Sequence, residues 1–128
     1  MTIKEVSEKY HITPDTLRYY ERVGMIPAVP RTAGGIRDYG EADLGWVELA
    51  ICMRGAGLPV EAMIEYVKLY QMGDSTFEAR LHLLQKQREI LMEQKRQVEE
   101  TIDRLNYKIS RYESALENRN LTIKKNQI

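Results

Sequence analysis

Residues 13–27 read T-P-D-T-L-R-Y-Y-E-R-V-G-M-I-P, and residues 31–39 read R-T-A-G-G-I-R-D-Y. Thr13 is a strong helix N-cap and Pro14 takes the favoured first helical position, so a helix is expected from there to about Val23. Gly24 supplies its stop. Pro27 and Pro30 keep the next residues extended, and Gly34-Gly35 between Arg31 and Arg37 reads as the tip of a hairpin, a small wing beside the helix. Arg18, Tyr19, Arg22, Arg31, Arg37 and Tyr39 crowd guanidinium and phenol groups into this stretch. That is the chemistry a nucleic-acid backbone asks for.

Working outward, Thr2 followed by Glu5 fits a capping box, and Ile3, Val6 and Tyr10 share one face of a first helix that runs to about Tyr10. The short link His11-Ile12 makes the pair a helix-turn-helix, whose second helix is the one usually laid in the major groove. Beyond the wing, Leu44, Val47 and Ile51, broadened by Trp46, Leu49 and Ala50, give a third helix over about Glu41 to Arg54, ended by Gly55 and Gly57. Pro59 opens a fourth, with Val60, Met63, Ile64, Val67, Leu69 and Tyr70 on its buried side and Gly73 at its close.

From about Thr76 the pattern changes. Positions spaced alternately by four and three hold Phe77, Leu81, Leu84, Arg88, Leu91, Lys95, Val98, Ile102, Leu105, Ile109, Tyr112 and Leu116, ten apolar residues out of twelve. This is a sustained heptad repeat, about 40 residues long and on the order of 60 Å at full helical length. One narrow apolar seam cannot bury itself, so a second helix is required, most simply that of a second copy about a two-fold axis. The chain thus divides into a winged helix-turn-helix DNA-binding domain over residues 1–74, a coiled-coil dimerisation helix over 75–117 and a flexible tail over 118–128.

The totals exclude several classes. No apolar run approaches the roughly 20 residues of a membrane span, and no basic-then-apolar leader precedes the first helix, which reads as a soluble cytoplasmic protein without a membrane partner. One cysteine, Cys52, rules out an internal disulfide or a CxxC motif. No Ser/His/Asp or Cys/His pairing, metal spacing or phosphate loop is present, so neither an enzyme nor a cofactor is expected; His11 and His82 stand alone. The chain carries 19 basic and 19 acidic residues, which gives no global support to nucleic-acid binding. Locally the balance tips: Arg18 to Tyr39 holds four arginines against Glu21 and Asp38. Only the contacted surface has to neutralise phosphate.

Taken together, the L-R-Y-Y-E-R stretch, the G-G-I-R-D-Y wing, a second helix pair ending in M-R-G-A-G-L-P-V-E and a terminal seam helix resemble the MerR family of bacterial transcription regulators over about residues 1–116. The resemblance implies a homodimer joined by an antiparallel coiled coil. It further implies a palindrome in an unusually long promoter spacer, bent and untwisted so that RNA polymerase meets realigned promoter elements. On the matching positions, Arg18 and Tyr19 would meet DNA from the recognition helix, with Thr13 at its start counted among the DNA-binding residues, while Arg37 and Tyr39, with Arg31 where the wing begins, would hold phosphates. Many members carry a basic residue where this chain has Asp15.

Metal-sensing members pair cysteines at the start of the long helix and in a loop beyond it, and drug-sensing members carry a separate effector domain; this chain has neither feature. The I-C-M-R-G-A-G segment looks like the subgroup that answers electrophiles such as aldehydes through a single cysteine, which makes Cys52 the sensor candidate. The alternative for Cys52 is a small buried hydrophobe beside the apolar stripe of the third helix. Two functional alternatives stand beside the activator: a coiled-coil interaction module without DNA binding, and a plain repressor of the same fold.

Overall fold

The computed structural model describes residues 1–118; the tail expected from residue 118 onward lies, beyond Asn118, outside the described residues. Helix α1 spans Ile3–Tyr10 and is opened by the full capping box, with the Thr2 hydroxyl accepting from the Glu5 amide and the Glu5 carboxylate accepting from the Thr2 amide. His11 closes it in the left-handed region, at φ 57°, and the chain turns at once into α2, Pro14–Val23. Thr13 caps α2 through its hydroxyl, which accepts from the Thr16 amide at 3.1 Å. Gly24, at φ 87°, ends it with a backbone conformation that a side chain would strain.

Helix α3 spans Glu41–Gly55, α4 spans Val60–Gln71, and a single 3-10 turn, Asp74–Thr76, leads into α5, Phe77–Glu117. That turn was not anticipated from the sequence. It is pinned by Thr76, a buried polar residue whose hydroxyl lies 2.6 Å from the Leu69 carbonyl and 2.8 Å from that of Gly73. Arg80 completes the lock, with Nε donating to the Thr76 hydroxyl and Nη2 to the Gly73 carbonyl.

Residues Met1–Gln87 form one unit with a single core. Val6 of α1, Leu17 and Tyr20 of α2, Val47, Ala50 and Met53 of α3, and Ala62, Met63 and Val67 of α4 are buried in it. Met25, Ile26, Val29 and Leu58 from the connections join them. Burying a leucine side chain contributes about 1.5–3 kcal/mol, against about 1 kcal/mol for an N-cap. The inward face of α2 therefore sets its orientation, while its cap sets where it starts. The Tyr10 hydroxyl ties α1 to α3 by donating to Glu48 at 2.6 Å; burial and then that carboxylate push the phenol up to about 12.

The wing holds no strand. It is closed by a single antiparallel bridge between Arg31 and Arg37, with the Thr32 amide donating to the Ile36 carbonyl and the Asp38 amide to that of Pro30. At the tip the Gly35 amide donates to the Thr32 carbonyl, and Gly35 takes φ 82°. The diglycine is thus used at its second residue.

From Arg88 to Glu117 the chain is α5 alone, and no residue of α5 is buried. Nine of the ten apolar seam residues are among the exposed large hydrophobics, at 39% to 79% exposure. Arg96 pairs with Glu93 and Glu100 outside the seam, and Lys95, at a seam position, pairs with Glu99 beside it. No helix among the described residues is long and apolar enough to cross a membrane.

Candidate nucleic-acid interface

The outward face of α2 is set by its inward face. With Leu17 and Tyr20 in the core, Asp15, Arg18, Tyr19 and Arg22 are left in solvent. Arg22 lies over the Tyr19 ring, 5.5 Å from its centroid, a cation–π pair on the outer face of the helix. Arg22 is not among the residues that the family resemblance sets on DNA, although its three-residue spacing from Tyr19 is the signal for such a pair. Arg18 Nη1 donates to Asp15 at 2.8 Å in a pair that is 47% and 92% exposed, so water screens it and the arginine is readily released.

Arg31 is exposed, and its guanidinium donates to the Gly35 carbonyl at 3.0 Å, bracing the wing from within. Arg37 is only part-exposed: its Nε donates to Glu21 at 2.7 Å, and the two side chains are 21% and 14% exposed. The second Glu21 oxygen accepts from the Val29 amide at 3.1 Å. Burial pushes the Glu21 carboxyl up, but the hydrogen bonds from Arg37 and Val29 outweigh it and hold the group below the usual carboxylate range.

Tyr39, expected at a phosphate, is 2% exposed, and its hydroxyl is buried without a partner. The ring belongs to the buried core, and the Tyr39 amide donates to the Met1 carbonyl at 2.7 Å. On an extended leg, residues two apart face the same side, so Arg37 and Tyr39 turn inward together. Thr13 is exposed at the start of α2, where it serves as the cap. Cys52 is a free, exposed thiol on α3, outside the buried stripe of Val47, Ala50 and Met53.

A capped recognition helix with a basic outer face, a wing bonded to it and a long seam helix later in the chain define a DNA-binding regulator of the winged helix-turn-helix class. Residues 1–69, more than half of the chain, match the family described as MerR HTH family regulatory protein. The chain belongs to the MerR family of transcription regulators. It is 52% identical over 93 residues to the HTH-type transcriptional regulator AdhR of Bacillus subtilis (strain 168), a match covering 73% of this chain and 66% of that protein. A crystal structure of a MerR family transcriptional regulator from Listeria monocytogenes superposes with a TM-score of 0.90 at 43% identity, covering 94% of this chain and 91% of that one. HiNmlR, a MerR family regulator lacking the sensor domain, was solved bound to promoter DNA. It aligns with a TM-score of 0.80 at 30% identity, over 91% of this chain and 92% of its own.

Proposed function

We propose that two copies of the chain pair through α5 in antiparallel fashion and bind a palindrome in a long promoter spacer, distorting it so that RNA polymerase can initiate. The observation that carries this reading is the exposed seam: a heptad row left in water along a helix whose start is locked to a DNA-binding head. Pairing every seam residue puts Phe77 of one copy opposite Leu116 of the other, and likewise Leu81 opposite Tyr112, Leu84 opposite Ile109, Arg88 opposite Leu105, Leu91 opposite Ile102 and Lys95 opposite Val98. Residues 1–74 act as the reading domain and 75–117 as the dimerisation helix, in the cytoplasm, where the DNA is.

Within each head, Arg18 and Tyr19, positioned by the Thr13 cap, reach the groove. Arg31 and the Nη groups of Arg37 meet phosphates from the wing, while Tyr39 stays in the core. The reading is tested by in vitro transcription on two promoters that differ only in spacer length. Stimulation on the long spacer and none on a spacer of ordinary length is the expected outcome; repression on both would make the chain a plain repressor.

Cys52 supplies the trigger in this reading. Its thiolate adds to the carbonyl carbon of an aldehyde, the carbonyl oxygen taking the electron pair and a proton from water to give a hemithioacetal on α3. With diamide it adds across the N=N bond, and a second thiol displaces the hydrazide to leave a mixed disulfide. Exposure supports this role, because the electrophile reaches the sulfur without opening the core. Cys52→Ser is expected to leave promoter binding unchanged and to abolish the transcriptional response to an aldehyde or to diamide; a normal response in that variant removes the cysteine from the mechanism.

A further inference from the structure

Glu21 is out of place on electrostatic grounds. It is a carboxylate on the recognition helix, flanked by Arg18 and Arg22, on a surface read above as facing phosphates. On charge alone, its removal should strengthen DNA binding. Its geometry says otherwise. Both oxygens are engaged, one by the Arg37 Nε at 2.7 Å and the other by the Val29 amide at 3.1 Å, and the side chain is 14% exposed.

Val29 and Arg37 lie on the two legs of the wing. Val29 leads in to Arg31, and Arg37 leads out to Tyr39; the legs are joined to each other by the Arg31–Arg37 bridge and by the Asp38 amide on the Pro30 carbonyl. Hydrogen bonds within the wing tie Thr32, Gly35, Ile36 and Arg31 only to one another. Among the described residues, the hydrogen bonds that join the legs to α2 are the two that Glu21 accepts.

We infer that Glu21 is a positioning residue for DNA recognition: one carboxylate fixes both legs of the wing to the recognition helix and so sets the distance between the groove contacts and the wing's phosphate contacts. The assignment rests on the DNA-binding reading of the preceding section. A neutral amide cannot replace the carboxylate, because its single oxygen can face only one of the two donors and its NH2 group then opposes the other. The charge-assisted bond to Arg37 is also lost. With the legs released, the wing contributes fewer simultaneous phosphate contacts, and binding weakens although the DNA-facing surface has become less negative.

The test uses the full chain and a duplex selected by it from a random-sequence pool, with affinity followed across salt concentrations for wild type, Glu21→Gln, Arg37→Gln and the double variant. Glu21→Gln is expected to weaken binding about tenfold and to make the salt dependence shallower by about one phosphate contact, while in the Arg37→Gln background its effect is reduced to the part carried by the Val29 bond. A general loss of stability would lower the melting temperature without changing the salt slope. Unchanged or tighter binding by Glu21→Gln, or an equal loss in both backgrounds, overturns the assignment. Failure of the wild-type chain to retain any duplex at low salt overturns the DNA-binding reading itself. A proton spectrum of the wild-type complex gives an arm free of substitutions: the Arg37 Nε–H resonance should keep its hydrogen-bonded shift on DNA, and its loss would show that Arg37 abandons Glu21.

Discussion

Ile102→Lys is expected to convert the proposed dimer to a monomer. Full pairing of the seam sets Ile102 against Leu91 of the second copy, and Arg88 and Lys95 lie about one turn to either side of that leucine. An ammonium placed there is buried among apolar side chains, and the charges that share the seam with it, Arg88 and Lys95, are of like sign. An uncompensated buried charge costs about 3–5 kcal/mol, and the two-fold axis installs two of them, so the association constant falls by about 10⁴ or more. DNA affinity drops with it, because the second head no longer binds at the effective concentration set by the first, a loss of about 10²–10⁴. Sedimentation velocity at micromolar concentration and a gel shift on the same samples check both consequences. Ile102→Glu is the control, since Arg88 and Lys95 can reach that carboxylate, and it should dimerise better than the lysine variant. A dimer indifferent to both charges would rule out this register of the seam.

Arg18→Ala carries the second large effect, on binding rather than assembly. Arg18 is exposed and held only by the solvent-screened Asp15, so its removal leaves no buried group unsatisfied and the fold should be unaffected. The loss appears on DNA. One guanidinium contact is worth about 1–3 kcal/mol, which is roughly 5- to 150-fold in affinity for each head. A phosphate contact would also reduce the slope of log affinity against log salt by about 0.9, whereas a base contact would relax the sequence preference at one position. Unchanged affinity and slope, with an unchanged melting curve, would remove Arg18 from the interface.

The elements of the head could be read from the sequence because their boundaries rest on local chemistry. Thr2 with Glu5, Thr13 with Pro14, and Gly24 each act within one turn, and the helices begin and end where those residues place them. The seam of α5 was equally legible, since a repeat sustained over 41 helical residues admits no other period. What escaped depends on partners distant in sequence. Glu21 looked like a counter-charge in a basic stretch because its ligand, Arg37, is 16 residues away. Tyr39 looked like a surface phenol because a leg of a few residues gives too short a pattern to fix which side faces inward. Cys52 was ambiguous because it falls between Ala50 and Met53, both buried, and a helical stripe decides the fate of its border residues only after packing. The 3-10 turn depends on Thr76 finding the Leu69 carbonyl, a contact no local pattern announces.

The sheltered carboxylate of Glu21 also determines how the protein meets acidity. Its folded state favours the charged form, so the stability it contributes is present above the ordinary carboxylate range and is lost only as pH falls through its lowered value. Operator affinity measured between about pH 5 and pH 8 should therefore show no transition attributable to the wing, with weakening confined to more acidic solution. Moderate acidification would leave the wing's attachment to α2 intact, so the chemical trigger proposed for Cys52 would act on a head whose wing anchor does not itself respond to pH.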